Sequence, residues 1–443
     1  MKLYSFKVSK LHGTMPDCKL EFTDNTLILI GENGSGKTTL MKMLFYTLSA
    51  QWLKLRSYEF ESIELIIDKQ KFDIKRKDLE NIRLIPKRLR RLPSVVRNEI
   101  MHEDLNIERL KDICAKYGFS FEYIIREFEN EIPDSATNKN IINTINSIKS
   151  ILSDIHILYL PTYRRIEHDL KVVLGDMIDE DNLERRDIYS RNNDNNYTEL
   201  VEFGMDDVDQ VIKKTSSNLR RFFGESLNSL SLSYLSEIIS EGYKNIDNLY
   251  LQDIDETTIL NVVNRVDETI LSSENKELLS KKILGFKNSV NIDTEADQVV
   301  CHYFKKLYQT HKDLKERENP IREFADICSK YFKNKKVYWD STNFEFSITP
   351  EYCDSSIRFA QLSSGEKQIA ALFSKIFLEN KNCFIIIDEP ELSLSVKWQK
   401  QFLEDIYKSE YCKGLFAVTH SPFIFDNELD KYAHGLDEFR IIE

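Results

Sequence analysis

Eight consecutive residues near the N-terminus combine glycine, lysine and threonine at a spacing that suits phosphate binding. Gly31 to Thr38, GENGSGKT, fits the pattern G-x-x-x-x-G-K-[ST]. In such a loop the glycines let backbone N–H groups curl around phosphates, and the following helix points its positive N-terminal end at them. Lys37 would reach the β- and γ-phosphates, and the Thr38 hydroxyl would bind Mg²⁺. The predicted nucleotide contacts are Glu32, Asn33, Gly34, Ser35, Gly36, Lys37, Thr38 and Thr39.

A second group of reactive residues ends an apolar run near the C-terminus. Cys383 to Glu389, CFIIIDE, places two adjacent carboxylates directly after a strand-like segment. A purely structural strand would avoid this arrangement because burying charge is costly. Beside a phosphate-binding loop, Asp388 suits the Mg²⁺ shell together with Thr38, and Glu389 suits polarising the attacking water. The segment is therefore interpreted as a Walker B strand.

The segment Leu362 to Gln368, LSSGEKQ, opens a predicted helix before the Walker B strand and has two interpretations. One is a plain capped helix N-terminus, since Ser followed by Glu is common there. The other is a second anion-binding helix start, in which Ser364 and the Gly365 backbone face a γ-phosphate with Glu366 beside them. The residues alone leave both interpretations open.

His420 ends another apolar run, LFAVTH. A lone histidine is usually structural. However, the C-terminal edge of a parallel sheet is where ligands bind in α/β proteins. From that position His420 could hydrogen-bond the γ-phosphate or the attacking water, and we predict a catalytic role for it beside Glu389.

The elements around these residues predict an α/β fold with a mostly parallel core sheet, an antiparallel β subdomain and a helical insertion. Strands and helices alternate over the first 50 and last 80 residues, which is typical of a parallel sheet. Residues 60–76 predict a hairpin that turns near Lys69-Gln70, and residues 200–335 predict amphipathic helices. The predicted domains are an N-terminal lobe with the phosphate-binding loop (1–170), a helical insertion (171–335) and a C-terminal lobe with LSSGEKQ, CFIIIDE and His420 (336–443).

Composition excludes several classes of protein. The chain has 443 residues, of which 41% are hydrophobic, so wholesale disorder is excluded and about three domains are expected. A net charge of −12 argues against a uniformly basic nucleic-acid binder. Residues 75–97 are locally basic, and this run is either a solvated helix face or a nucleic-acid contact. The seven cysteines form no CxxC pair, and no apolar stretch is long enough to span a membrane, so we expect a soluble cytoplasmic protein.

These motifs, in this order, resemble the ABC-type ATPases of the SMC/Rad50-like branch. GENGSGKT is similar to Walker A, LSSGEKQ to the signature motif, CFIIIDEPE to Walker B, and His420 to the switch histidine. The resemblance implies ATP and Mg²⁺ as cofactors, and a homodimer or higher homo-oligomer in which the signature motif of one copy faces the phosphates held by another. ILYLPTYRRIE, LSSGEKQIAALF and DEPELSLSVKWQ resemble the ATPase subunits of Septu and retron-associated antiphage systems. Those systems imply a separate HNH-type nuclease and, beside retrons, a reverse transcriptase with its msDNA.

The sequence departs from the wider ABC pattern at two places. The usual Q-loop glutamine is not evident, because Gln70 falls in the predicted turn and Arg164-Arg165 occupy the expected connection. The segment Ser393-Leu394-Ser395 lacks the aspartate that many transporters carry after Walker B. Which residue completes the Mg²⁺ shell, and how two heads signal to each other, are therefore left open.

Two functions remain open. The first is an ATP-gated switch that controls a partner nuclease in antiphage defence. The second is a DNA-engaging repair or maintenance ATPase that uses the basic run at 75–97. A nuclease domain after His420 is not expected, because 23 residues follow it, and a Rad50-length coiled coil does not fit in the 323 residues between Thr38 and Leu362.

Overall fold

The apolar and alternating segments of the sequence form three sheets in the described part of the chain. The computed structural model describes residues 1–32, 34–80, 99, 107–118, 139–161, 196–200, 205–245, 249–266, 268, 270–288, 292, 294–352, 355–379 and 381–441. In chain order the strands are β1 (Leu3–Ser9), β2 (Asp17–Glu21), β3 (Thr26–Ile30), β4 (Ser62–Ile67), β5 (Gln70–Lys75), β6 (His156–Leu160), β7 (Tyr197–Glu199), β8 (Lys335–Asp340), β9 (Glu345–Pro350), β10 (Cys383–Asp388), β11 (Cys412–Thr419), β12 (Ala433–Gly435) and β13 (Arg440–Ile441). The helices are α1 (Lys37–Leu48), α2 (Trp52–Arg56), α3 (Arg76–Glu80), α4 (Ile107–Tyr117), α5 (Lys139–Ile151), α6 (Met205–Ile239), α7 (Leu249–Gln252), α8 (Glu256–Asn264), α9 (Ser273–Asn288), α10 (Glu295–Tyr331), α11 (Ser364–Phe373) and α12 (Val396–Tyr407).

Contacts divide the chain into two units. The first unit joins Met1–Glu202 to Lys381–Glu443, and the second is Phe203–Asn380. The first unit therefore holds Walker A, Walker B and His420, whereas the second holds the long helices α6 and α10, the β8–β9 hairpin and the signature motif. The domain boundaries predicted at residues 170 and 335 were placed from the positions of the sequence motifs, and they differ from this division by contacts. They stay a proposal.

The first unit is built on a parallel sheet of six strands, in the order β12-β3-β11-β10-β6-β7. Its central strands are continuous apolar runs because both faces of the sheet are covered. All six residues of β10 are buried, as are Leu27, Ile28 and Leu29 of β3. The predicted mostly parallel core sheet is confirmed.

The register of this sheet brings three strand ends to one level. Ile30 at the end of β3 pairs with Thr419 at the end of β11. On the other side of β11, Val418 pairs with Asp388 at the end of β10. Because parallel strands all point the same way, the loops that leave β3, β10 and β11 emerge side by side at one edge.

An antiparallel sheet, β13-β2-β1-β4-β5, forms the second layer of the first unit and confirms the predicted antiparallel subdomain. Its buried side chains share one hydrophobic core with the parallel sheet, and α1 contributes Met41, Met43, Leu44 and Phe45 to that core. The β4–β5 hairpin turns one residue earlier than the sequence prediction. Ile67 pairs with Gln70, and the two turn residues Asp68 and Lys69 have positive φ angles of 48° and 66°. A two-residue turn with positive φ at both positions has a backbone twist that matches the right-handed twist of the strands that it connects.

The second unit contains the long helices α6 and α10 and the two-stranded β8–β9 sheet, which confirms the predicted helical segment. The buried residues of α10 recur every three or four positions, as an amphipathic helix requires. They include Phe304, Leu307, His311, Leu314, Glu318, Ile321 and Phe324. Three of the buried residues of α10 are polar, namely His302, His311 and Glu318.

Several sequence predictions fall outside the described residues. They are Asn33, most of the basic run (81–97) and Arg164-Arg165.

Candidate nucleotide site

The loop from Gly31 to Thr38 connects β3 to α1 at the edge where the strand ends meet. Gly34 and Gly36 have φ angles of +77° and +98°, a region that residues with a Cβ rarely adopt. Nothing lies within 4 Å of a Cβ built on Gly34, so backbone conformation and not space requires glycine there. Gly36 precedes α1 and has no side chain to cap it, so the first-turn N–H groups of α1 are not bound by a cap side chain. Uncapped N–H groups at a helix start suit an anion.

The side chain of Lys37 folds back over its own loop. Nζ donates hydrogen bonds of 2.7 Å to the carbonyl oxygens of Gly31 and Glu32, and it lies 3.4 Å from the Ser35 hydroxyl. Lys37 is only 4% exposed. Burial lowers the pKa of its ammonium group, and the carboxylates across the site oppose that shift. A bound phosphate would supply the counter-charge that such a buried cation favours.

Thr38 and Asp388 meet although 350 residues separate them in the chain. The Thr38 hydroxyl donates a 3.2 Å hydrogen bond to Oδ1 of Asp388. Asp388 is 1% exposed at the end of β10. A hydroxyl and a carboxylate oxygen are ligands that Mg²⁺ accepts, so these two residues fit the predicted metal contacts.

Glu389 follows at a sharp change of chain direction. Its φ is +50°, and its backbone N–H donates to the carbonyl oxygen of Val418 at 2.8 Å, which ties it to β11. Burial raises the pKa of its carboxyl group, and the charges of Asp388 and Glu391 raise it further, whereas His420 and Lys37 act in the opposite direction. A carboxylate of raised pKa beside a phosphate site is suited to general-base catalysis.

Glu391 was not predicted as a site residue, yet it holds the end of β11. Its Oε1 accepts the backbone N–H of His420 at 2.8 Å, and its Oε2 accepts the Thr419 hydroxyl at 2.8 Å. The His420 residue itself is exposed. The spacing of Glu391, two residues after Glu389, was the only sequence signal for this role.

Gln399 of α12 also connects the segment after Walker B to the segment that carries His420. Its Nε2 donates to the carbonyl oxygen of Leu394 at 3.0 Å, and its Oε1 accepts the Ser421 hydroxyl at 2.7 Å. The segment that follows Walker B and the segment that carries His420 are therefore linked by the side chains of both Glu391 and Gln399. Ser393 within that segment has a φ of +66°.

The signature segment lies in the second unit and begins α11. The Ser363 hydroxyl and backbone N–H donate to Oε2 of Glu366 at 2.8 and 2.9 Å, which is a capping box. Lys335 donates to both carboxylate oxygens of Glu366 at 2.8 and 3.0 Å, and Glu366 is 2% exposed. The capped helix start is confirmed, and the Glu366 carboxylate is engaged within its own unit. Ser364 is exposed, and contact of Ser364, Gly365 or Glu366 with a phosphate stays a prediction.

The parallel sheet, the glycine loop and the paired carboxylates together define a P-loop nucleotide-binding protein. The chain belongs to the AAA_15 family, described as an AAA ATPase domain, which matches residues 1–425. No curated protein matches the chain significantly. No described helix is both long and apolar enough to cross a membrane.

Two solved structures of Smc heads are similar to the chain. One is the Smc head domain with an extended coiled coil bound to the C-terminal domain of ScpA, from Pyrococcus furiosus, with 12% identity and a TM-score of 0.35. The other is the SmcHead bound to the C-winged helix domain of ScpA, with 11% identity and a TM-score of 0.33. Each comparison covers 96% of this chain and 91% of the other. Because the TM-scores are low, the assignment of the chain as a P-loop ATPase rests on the family match and the site geometry.

Proposed function

We propose that this ATPase hydrolyses ATP with Mg²⁺ at the edge formed by β3, β10 and β11, and that hydrolysis controls the association of two copies. The contact between Thr38 and Asp388 carries the first part of the proposal, because it joins the two motifs at one point. Mg²⁺ bound there would neutralise phosphate charge. Lys37 and the N–H groups of α1 would bind the phosphates, and Glu389 would take the proton from the attacking water.

His420 would orient the attacking water or the γ-phosphate. Its backbone is held by Glu391, while the residue is exposed at the site edge. Glu389 follows β10 and His420 follows β11, the neighbouring strand of the same sheet. A base and a hydrogen-bonding partner on neighbouring strand ends suit an in-line attack on the γ-phosphate.

Exposed apolar side chains beside the site favour association with a second copy. Leu392 and Val396 follow Walker B, Phe423 follows His420, and they are 43%, 48% and 41% exposed. Lys400 of α12 lies over the Phe423 ring at 5.8 Å, which places this segment against α12. Large apolar side chains clustered near a polar site are typical of an interaction surface. The signature residues Ser364 and Gly365 of the second copy would then face the γ-phosphate.

The partner of this switch is proposed from the sequence resemblance. We infer that a separate HNH-type nuclease is regulated by the closed pair in antiphage defence, as the Septu-like motifs imply, with a retron reverse transcriptase and msDNA as further components. The alternative of a DNA-engaging repair ATPase rests on the basic run, most of which lies outside the described residues.

One pair of variants tests hydrolysis and association together. Glu389→Gln keeps the shape and hydrogen bonding of the side chain but removes its charge, so turnover should fall by about 10²- to 10⁴-fold while ATP binding survives. Light scattering with ATP should then show a pair of chains, and adding Ser364→Arg should separate them. A mass that does not depend on ATP in either variant would contradict the switch. Unchanged hydrolysis in Glu389→Gln would contradict the assigned base.

The regulatory partner needs its own test. The proposal expects an HNH-type nuclease reading frame beside the gene. Co-expression of that nuclease with this chain, followed by purification through a tag on this chain, should recover a complex whose DNA cleavage changes with ATP. The Lys37→Ala variant is the control, because it should keep the complex but lose the response to ATP. A nuclease that neither binds the chain nor responds to ATP would contradict the defence proposal and leave the ATPase assignment intact.

A further inference from the structure

The second unit contains a cavity of about 410 Å³ between α8, α10 and the end of β8. This volume falls in the range of about 300–1,000 Å³ typical of small-molecule sites. Its wall includes Arg265, His311, Lys315, Arg322 and Trp339. The wall is therefore cationic and rich in nitrogen donors, and it contains one large aromatic ring.

Four nitrogen atoms that belong to residues of this wall are buried and have no hydrogen-bond partner among the described residues. They are Arg265 Nη1, Arg322 Nε, His311 Nδ1 and Trp339 Nε1. Arg265 is 7% exposed and His311 is 9% exposed. Buried polar groups in native proteins are nearly always paired, so four unpaired nitrogens around one cavity indicate a missing acceptor.

The two arginines are held in place by a fully buried carboxylate. Oε1 and Oε2 of Glu318 accept Arg265 Nη2 at 3.0 and 2.9 Å, and Oε2 also accepts Arg322 Nη2 at 3.1 Å. Glu318 is 0% exposed. One carboxylate therefore fixes two guanidinium groups while offsetting only one of their charges. Arg322 Nη2 also donates to the Ser341 hydroxyl at 2.5 Å, whereas Arg265 Nη1 and Arg322 Nε have no partner among the described residues.

The balance of charge around the cavity stays positive. Lys315 adds a third cation to the wall, and Asp340 is the carboxylate that lines it. Oδ1 of Asp340 accepts the backbone N–H groups of Thr342 and Asn343 at 2.8 and 3.2 Å, and Oδ2 accepts Nδ2 of Asn343 at 2.7 Å, so both oxygens are engaged in their own turn. Among the residues that line the cavity, together with Glu318, three cations thus stand against two carboxylates.

His311 responds to this environment. Burial and, to a smaller extent, the charges of Arg265, Lys315 and Arg322 together lower its pKa to about 4. The imidazole is therefore neutral near pH 7, with a nitrogen free to donate or accept. An anion in the cavity would reverse the part of the shift that the three cations cause.

We propose that this cavity binds the phosphate group of a small phosphorylated ligand, of the size of a nucleoside monophosphate. The planar guanidinium groups of Arg265 and Arg322 would contact the phosphate oxygens, since their fork geometry suits tetrahedral oxoanions. Lys315 would add charge at the rim. The indole of Trp339 would lie beside the remainder of the ligand, with its Nε1–H as a further donor.

Calorimetry on the full chain tests the proposal directly. The Lys37→Ala variant serves as the parent, so that phosphate bound at the P-loop does not contribute. Inorganic phosphate and AMP should each bind at one site at millimolar concentrations or below, and adenosine should not bind. Tighter binding of AMP than of phosphate would identify a nucleotide as the source, whereas equal affinities would identify free phosphate. Absence of binding by both would overturn the proposal.

Variants in the wall tie any binding to this cavity. Arg322→Gln and Lys315→Gln should each weaken phosphate binding about 10-fold. Lys312→Gln is the matched control, because Lys312 is an exposed lysine on the same helix that does not line the cavity. Equal affinity of Arg322→Gln and its parent would place the anion elsewhere and overturn the proposal.

A spectroscopic readout covers the case in which arginine variants fail to fold. In the folded parent, NMR of the His311 imidazole should show its pKa rising when phosphate saturates the chain, because the anion screens the neighbouring cations. A His311→Phe variant identifies the signal. A His311 pKa that is unchanged by saturating phosphate contradicts binding at this cavity.

Discussion

The carboxylate of Glu391 accepts the backbone N–H of His420 at 2.8 Å and the Thr419 hydroxyl at the same distance. One side chain from the loop after β10 therefore fixes the end of β11. His420 emerges between the P-loop strand and the Walker B strand, since β11 lies between β3 and β10 in the sheet. The position of the histidine relative to Glu389 thus depends on a residue that contacts neither phosphate nor water in the proposed mechanism.

The Glu391→Ala variant should uncouple β11 from the loop after β10. ATP affinity should change little, because Lys37 and Thr38 are untouched, whereas the rate of hydrolysis should fall by about 10- to 100-fold through misplacement of His420. Steady-state ATPase assays measure the rate, and equilibrium titration with labelled ATP measures the affinity. Glu391→Gln keeps one oxygen acceptor, so it should lose less than about 10-fold. Equal losses in both variants would contradict positioning by hydrogen bonds.

The Lys37→Ala variant should abolish ATP binding at micromolar concentrations, since Lys37 supplies the cation of the loop. The loop carbonyl oxygens of Gly31 and Glu32 lose their donor, but Gly31 is half-buried and Glu32 is exposed, so water can replace it and the fold should survive. Fluorescent ATP titration and thermal unfolding measure the two effects. Lys42→Ala on the same helix is the control and should bind ATP normally. Wild-type affinity in Lys37→Ala would exclude the P-loop assignment.

Glu389 should destabilise the nucleotide-free chain at neutral pH. Burial raises its pKa above the ordinary value of 4.5, so the folded state binds its proton more tightly than the unfolded state does. The free-energy cost is therefore absent below pH 4.5 and grows as pH rises to the raised pKa, above which it is constant. Glu389→Gln should raise the melting temperature at pH 7.5 by a few degrees and leave it unchanged at pH 4. Lower stability of the variant at pH 7.5 would contradict the sign of this shift.

The Lys335→Met variant should destabilise the second unit. It leaves the carboxylate of Glu366, which is 2% exposed, without the ammonium group that donates to both of its oxygens. Loss of a charged hydrogen-bond partner from a buried carboxylate costs about 2 kcal/mol of unfolding free energy. Chemical denaturation measures the loss, and the exposed neighbour Lys336→Met is the matched control. If the two variants were equally stable, water would be binding the Glu366 carboxylate in place of Lys335, and the predicted cost would be wrong.

The contiguous parts of the site could be predicted from the sequence because local chemistry specifies them. The loop at Gly31–Thr38 requires glycine at positive φ and a lysine at a set distance, and both features are encoded within eight residues. The capping box of Ser363 and Glu366 is likewise local, since the two residues are one helical turn apart. The buried strand β10 was evident from its uninterrupted apolar run, which a sheet covered on both faces requires.

Contacts between distant segments were decided only by the tertiary structure. The order of β3, β11 and β10 places Asp388 beside Thr38 and brings Glu391 to His420, and no periodicity in the sequence encodes that order. The same holds for Glu318, whose spacing on α10 marks it as a buried position but does not name Arg265 as its partner. Local patterns specify backbone conformation and burial, whereas the pairing of polar side chains depends on which elements pack together in three dimensions.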